Sequence, residues 1–316
     1  MTIDTTAAAG AEATPAARRR KPRSRNATRR LSIAGFLGPF GVLFVAFYVV
    51  PIGYALYRSF FVTQREGAFG AATEVWGGLQ NYTRAFEDSE FVRSVGRMLL
   101  FGIVQVPVML VFALVLALLL DSFVARFKRF FRLAYFAPYA VPTVIAAIMW
   151  GYLYAPSLSP VVDVMDAVGL RVDFLAQNSV LWSIANIVTW TYTGYNMLII
   201  FAALQAIPRD LYEAARIDGA SGLQLALRIK IPIIWPALIL TGVFSIIGTL
   251  QLFTEPQVLR NITTSISSTY TPNLFAFTQA SANNYNYAAA VSILLAVVTA
   301  VLSFFFLRFT QRRPTA

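Results

Sequence analysis

The chain has 316 residues, 57% of them hydrophobic and 13% charged, with a formal net charge of +11. So apolar a composition excludes an ordinary soluble domain and points to a membrane protein. It contains no cysteine and no histidine, which removes disulfides, thiolate or imidazole metal sites, and any histidine base or proton relay.

Residues 1–17, rich in Ala and Thr, read as disordered. The run RRRKPRSRNATRR, residues 18–30, then carries eight of the 26 cations directly before the first apolar segment. That is where the positive-inside rule puts cytoplasmic anchoring charge, and a tail touching anionic lipid headgroups explains it better than nucleic-acid binding. The stretch 31–57 is too long for a secretory signal and ends without a small-residue cleavage site, so it reads as a retained span.

Six windows free of Asp, Glu, Lys and Arg can each hold the roughly 20 apolar residues that cross a bilayer. The best spans are 34–57, 97–120, 134–154, 181–205, 234–253 and 288–308, and the polar stretch before the last is expected to be a loop. An even count places both termini on one side. With that side inside, cytoplasmic segments hold eight cations in the tail, four at Arg126, Lys128, Arg129 and Arg132, four at Arg209, Arg216, Arg228 and Lys230, and three at Arg308, Arg312 and Arg313. The asymmetry sets the orientation: both ends cytoplasmic. Gly38, Pro39, Pro51, Pro107, Pro138 and Pro142 fall inside spans, where ordinary helix packing accounts for most and hinges for some. The expected organisation is a basic tail, 1–30, and one six-helix membrane domain, 31–313.

No span interior carries an ionisable residue, which argues against a proton-driven carrier. A hydrolase would need a paired base or metal ligands in the spans, and no lysine follows a glycine in a phosphate loop. If the protein runs on ATP, another subunit is expected to bind it.

Between the fourth and fifth spans lies YEAARIDGASGLQLALRIKIPIIWP, from Tyr212 to Pro236. Pro208 suits a helix's first turn, Asp210 and Glu213 complement the positive end of its dipole, and Gly219 supplies a stop, so one helix is expected over 209–218. Ser221 and Gln224 form a capping-box pair that starts a second helix, expected to end before Pro232. Leu211, Ala214, Ala215, Leu223, Leu225 and Leu227 give this cytoplasmic loop, 208–232, an apolar side. On these grounds alone it is either an interfacial amphipathic helix or a knob that fits a partner.

The stretch resembles the EAA signature of permease subunits of binding-protein-dependent ABC importers. The matching residues are Glu213, Ala214, Ala215, Asp218, Gly219, Ala220, Ile229, Pro232 and Pro236. Ala226 departs from the usual bulky aromatic, and Ile231 replaces leucine. LGPFGVLFVAFYVVPIGYALYRSF, FFRLAYFAPYAVPTVIAAIMWGYLY and NMLIIFAALQAIPRDLYEAARIDGAS likewise resemble carbohydrate-type permeases related to the maltose and glycerol-phosphate importers, over about 33–310. Residues 253–273 depart from that family's glycine-rich outer segment.

The resemblance implies an all-α membrane protein of the type I importer fold in a bacterial cell membrane. It implies a second permease subunit, two cytosolic ATPase subunits that bind ATP and Mg, an external solute-binding protein and a sugar or sugar-like solute. It assigns ATPase coupling to Glu213, Ala214, Ala215, Asp218, Gly219, Ala220, Ile229 and Pro232. By position it places Thr191, Tyr192, Tyr195, Gln251 and Gln257 along the solute pathway, near Trp190 and Asn196. Aromatic faces and amides suit sugars, yet interfacial packing accounts for any single aromatic equally well. A stand-alone carrier or channel for a small polar solute is the alternative.

Overall fold

The structure is a computed structural model and describes residues 25–65, 72–122, 127–156, 158–170 and 172–311. The expected disordered segment 1–17, the tail cations before Arg25, and Arg126, Arg312 and Arg313 lie outside the described residues. The chain divides into two compact units, residues 1–53 and 54–316.

In the first unit, helix α1, Arg25–Phe44, runs through a π-helical turn, Val45–Val49, into α2, Val50–Arg58, which continues across the division. Its first residues fall inside the segment expected to be an unstructured tail. The π turn has a local cause. Pro51 has no N–H to give and its ring crowds the carbonyl four residues back, and the turn lets Val50 N–H reach Val45 O instead.

The second unit opens with an element not foreseen in the all-helical reading, an antiparallel pair β1, Phe61–Arg65, and β2, Ala72–Trp76, in register Phe61 to Trp76. Asn81 of α3, Gln80–Glu87, donates to Ser59 O at 3.0 Å and Phe61 O at 2.7 Å, and Arg58 pairs with Glu74, so the strands are held to α3 and to the end of α2. Helix α4, Ser89–Asp121, starts earlier than residue 97 because Asp88 caps it, accepting from Glu90 N–H and Phe91 N–H.

The third span, expected over 134–154 with Pro138 and Pro142 inside it, is broken. Helix α5, Lys128–Phe136, and a 3-10 turn, Ala137–Ala140, meet α6, Thr143–Tyr154, at 93°. Pro142 forces Val141 into the extended region, ψ 126, and removes the N–H that would carry the helix on. After α7, Pro160–Ala167, comes α8, Val180–Gln205. It crosses α5 so closely that a Cβ on Gly194 would lie 1.8 Å from Tyr135 O. Only glycine permits that approach.

The expected loop helices appear as α9, Arg209–Ile217, and α10, Gly222–Leu225. The second does not stop before Pro232: it continues through a π turn, Ala226–Lys230, and α11, Ile231–Ile233. Here again a π turn precedes a proline, with Ile231 N–H reaching Ala226 O and no donor asked of Pro232. Helix α12, Trp235–Leu250, is followed by α13, Thr254–Leu259. The stretch expected to be an outer loop contains α14, Pro272–Ser281, which Thr271 caps by accepting from Leu274 N–H, before α15, Tyr285–Gln311. Its Thr-Pro start is an ordinary helix signal.

Among the described residues five helices are long and apolar enough to cross a membrane, and the α5–α6 pair makes six if counted as one bent span. The largest apolar cluster packs α4, α6, α8, α13 and α14 around Met98, Phe101, Tyr154, Ile184, Leu259 and Leu274. A second sits at the opposite end, around Ala117, Ile200, Leu204, Tyr212 and Leu225, and roots the α9–α10 hairpin in the bundle. A third joins α3, α4, α14 and α15 through Ala85, Phe91, Phe275 and Tyr287.

Candidate solute cavity and coupling hairpin

The hairpin is built from local chemistry. Helix α9 ends when Gly219 takes φ +81, a conformation that a side chain resists. Gly219 N–H then donates to Arg216 O at 3.0 Å and Ala220 N–H to Ala215 O at 2.9 Å, the paired bonds of a Schellman turn. Two residues on, Ser221 Oγ accepts from Gln224 N–H while Gln224 Oε1 accepts from Ser221 N–H, completing the capping box. Residues 215–224 are therefore a rigid elbow, with most of its end groups satisfied by bonds within the segment.

The elbow has two faces. Tyr212, Ala215, Leu225 and Lys230 are buried against the bundle. Glu213, Ala214, Asp218, Gly219 and Pro232 are exposed, Ala220 and Ile229 are half-buried, and Ile217 is 87% exposed. Ala226, where the resemblance leads one to expect an aromatic, opens the π turn and is half-buried. Burial, and next the Asp121 carboxylate, push the Tyr212 phenol up to about 12, so it stays neutral.

Further along the bundle a cavity of about 220 Å³ is lined by Met109, Thr143, Tyr192, Tyr195, Asn196, Ser245, Thr249, Gln251 and Glu255, among others. Tyr192, Tyr195 and Asn196 share one face of α8, being three and four residues apart. Tyr139 stacks on Tyr195 at 4.7 Å and meets Tyr192 edge-on. Asn196 Nδ2 donates to Ser245 Oγ at 3.5 Å, and Gln105 joins three helices by accepting from Thr249 and donating to Thr189. Gln251 also borders an adjoining groove of about 670 Å³ between α12, α14 and α15.

Of the five residues expected along the pathway, Tyr192, Tyr195 and Gln251 line this cavity. Thr191 is not among its lining residues; it is buried, and among the described residues its hydroxyl has no hydrogen-bond partner. Gln257 does not line it either, and accepts from Arg260 at 3.4 Å. Trp190 is half-buried and meets Trp150 edge-on at 5.8 Å.

Two residues were missed. Gln105 is a lone amide in the middle of an apolar span, which is a legible signal. Glu255 was placed beyond the end of the fifth span, but the apolar segment runs on from Trp235 to Leu259 and carries it. It is 4% exposed, so the expectation of no ionisable residue within the spans fails there. The residues lining the cavity include this carboxylate and no lysine or arginine.

Spans bent and packed around a polar, aromatic cavity, with a rigid elbow at the opposite end, define a membrane transport permease. The chain belongs to the family described as binding-protein-dependent transport system inner membrane component, which matches residues 109–313. It is 33% identical over 291 residues to the lactose transport system permease protein LacF of Rhizobium radiobacter, covering 88% of this chain and 96% of that one. It is 30% identical over 277 residues to the sn-glycerol-3-phosphate transport system permease protein UgpA of Agrobacterium fabrum, covering 86% and 92%. A chain in the crystal structure of a bacterial ABC transporter involved in alginate import superposes with a TM-score of 0.79 at 22% identity, covering 92% of this chain and 98% of that one, and shares the fold. The protein is thus a multi-pass ABC importer permease and not itself an enzyme. The stand-alone carrier is set aside.

Proposed function

We propose that this permease moves a neutral sugar or sugar-like solute inward, driven by cytosolic ATPase subunits that press on the α9–α10 elbow. The observation that carries the reading is the elbow's division of labour. One face is rooted in the helices that wall the cavity, and the other presents Glu213, Ala214 and Ile217 outward. A helix merely floating at the lipid interface needs no such root. Exposed apolar groups on a stiff, charged elbow suit a protein groove.

The solute class follows from the cavity. Tyrosine faces suit sugar rings, while Asn196, Ser245, Thr249 and Gln251 offer hydrogen bonds to hydroxyls. An anion would find no compensating cation among the residues lining the cavity, and an unpaired charge withdrawn from water is costly. The relatives' names include both a neutral sugar, lactose, and an anion, glycerol phosphate; a lining without a cation favours the former. A second permease subunit and an external solute-binding protein complete the proposed importer, with ATP and Mg held by the ATPases and lipid around the spans.

Affinity purification of the tagged chain from its own cells tests this. A cytosolic ATPase is expected to come down with it and to be lost on deleting residues 209–230, while the chain stays in the membrane. A chain that purifies alone and transports lactose unaided contradicts the reading.

A further inference from the structure

At the elbow end of the bundle three elements meet on one carboxylate. Asp121, the last residue of α4, pairs with Lys230 Nζ through one oxygen, and through the other accepts from Gln205 Nε2, the last residue of α8, at 2.7 Å. The two charged side chains are 5% and 6% exposed. Lys230 also lies over the Tyr212 ring at 4.8 Å, and Tyr212 Oη donates to Leu204 O at 3.4 Å, so α9 joins the same cluster. The surroundings are apolar, from Ala117 and Leu120 to Met197 and Ile200.

Such a pair is not explained as fold stabilisation. Withdrawing two charges from water offsets most of their attraction, and apolar residues of similar volume commonly do as well or better. What an ion pair with a supporting amide adds is register: a set distance and direction between named atoms, where greasy surfaces can slide. The backbone is shaped to make it. The π turn Ala226–Lys230 ends on Lys230 and carries it inward, while Arg228 in the same turn remains exposed.

We propose that Asp121, Lys230 and Gln205 form a transmission joint that passes displacement of the elbow to α4 and α8. Those helices wall the cavity at Met109 and at Tyr192 and Tyr195. Without the joint the elbow keeps its chain connections to α8 and α12, but α4 meets it only through apolar packing, which can slide. The residues are positioning residues: none of them is among those lining the cavity. The proposal rests on the reading that an ATPase drives the elbow.

The chain has no cysteine, so paired spin labels go on cleanly. Labels at Val92 and Trp182, exposed near the outer ends of α4 and α8, are measured by pulsed electron spin resonance in the complete importer, before and after trapping with ATP and vanadate. The native chain is expected to show a shift in that distance. In Asp121→Leu/Lys230→Met, which leaves no orphaned charge, the complex assembles and hydrolyses ATP, but the trapped population with the shifted distance falls about tenfold. The exchanged pair Asp121→Lys/Lys230→Asp restores it. An unchanged shift in the apolar pair, with a normal shift in the native chain, overturns the joint alone. Absence of any shift in the native complex overturns the joint together with the ATPase-driven reading.

Discussion

The elbow and the outer wall of the cavity, residues 250–287, are opposite in construction. The elbow is made of bonds between residues at most five apart: Ala220 to Ala215, Gly219 to Arg216, Ser221 with Gln224. The outer wall is held by contacts that span the chain. Arg97 donates to Tyr270 O at 2.6 Å and lies over its ring, Thr269 donates to Glu90, and Asn273 donates to Leu250 O. The difference teaches where function can vary. On the proposed function, the part pressed by the ATPase is written locally, and the part that meets the solute depends on distant neighbours.

The sharpest way to break the comparison is at Gly219. Gly219→Pro removes the N–H bonded to Arg216 O and imposes φ near −65° where the chain needs +81. Uptake is expected to vanish while the protein still inserts; normal uptake means the elbow is not the drive point. Glu213→Lys reverses the exposed charge next to it and is expected to abolish uptake in the same way, without altering α9.

Next in size is the outer wall. Glu255→Gln is expected to keep uptake of a transported neutral sugar within a few fold, whereas Glu255→Arg raises the ratio of sn-glycerol 3-phosphate to sugar uptake by at least about tenfold, given the attraction of unlike charges in a poorly solvated cavity. An unchanged ratio in proteoliposomes removes Glu255 from the solute path. Smaller still is Ser221→Ala, expected to lower the thermal stability of the assembled transporter by about 1 kcal/mol through the lost cap. Smallest is Thr191→Val, which replaces a buried hydroxyl without a partner among the described residues and is expected to be neutral or slightly stabilising, with solute selectivity unchanged. A selectivity change there restores Thr191 to the pathway.

The same contrast explains what was legible in the sequence. Pro208, the Gly219 stop and the Ser221–Gln224 pair are local rules, and the helix boundaries at 209 and 222 follow from them, whereas a proline inside an apolar window, such as Pro142, reads equally as ordinary packing. The second elbow helix was cut short at Pro232 because a proline reads as a stop when the π turn that accommodates it is invisible. Tyr192, Tyr195 and Gln251 were recognisable as candidates by type and position, and all three border the cavity. Gln257 sits two residues beyond Glu255, about 200° around the helix, so it faces elsewhere. Glu255 itself was hidden by hydropathy, since a carboxylate reads as the end of a span until packing shows it buried. Asp121 and Lys230 read as ordinary boundary charges for the same reason: each ends an apolar run, and only the fold brings them together across 109 residues.

The central claim is that one face of the elbow is rooted in the bundle while the other meets a cytosolic motor. A single cysteine at Ile217 in this cysteine-free chain tests it with a membrane-impermeant maleimide. The account predicts labelling in inside-out vesicles stripped of ATPase, protection when the ATPase is restored, and none in intact cells. Labelling of Ile217→Cys from outside intact cells, or labelling indifferent to the ATPase, contradicts it.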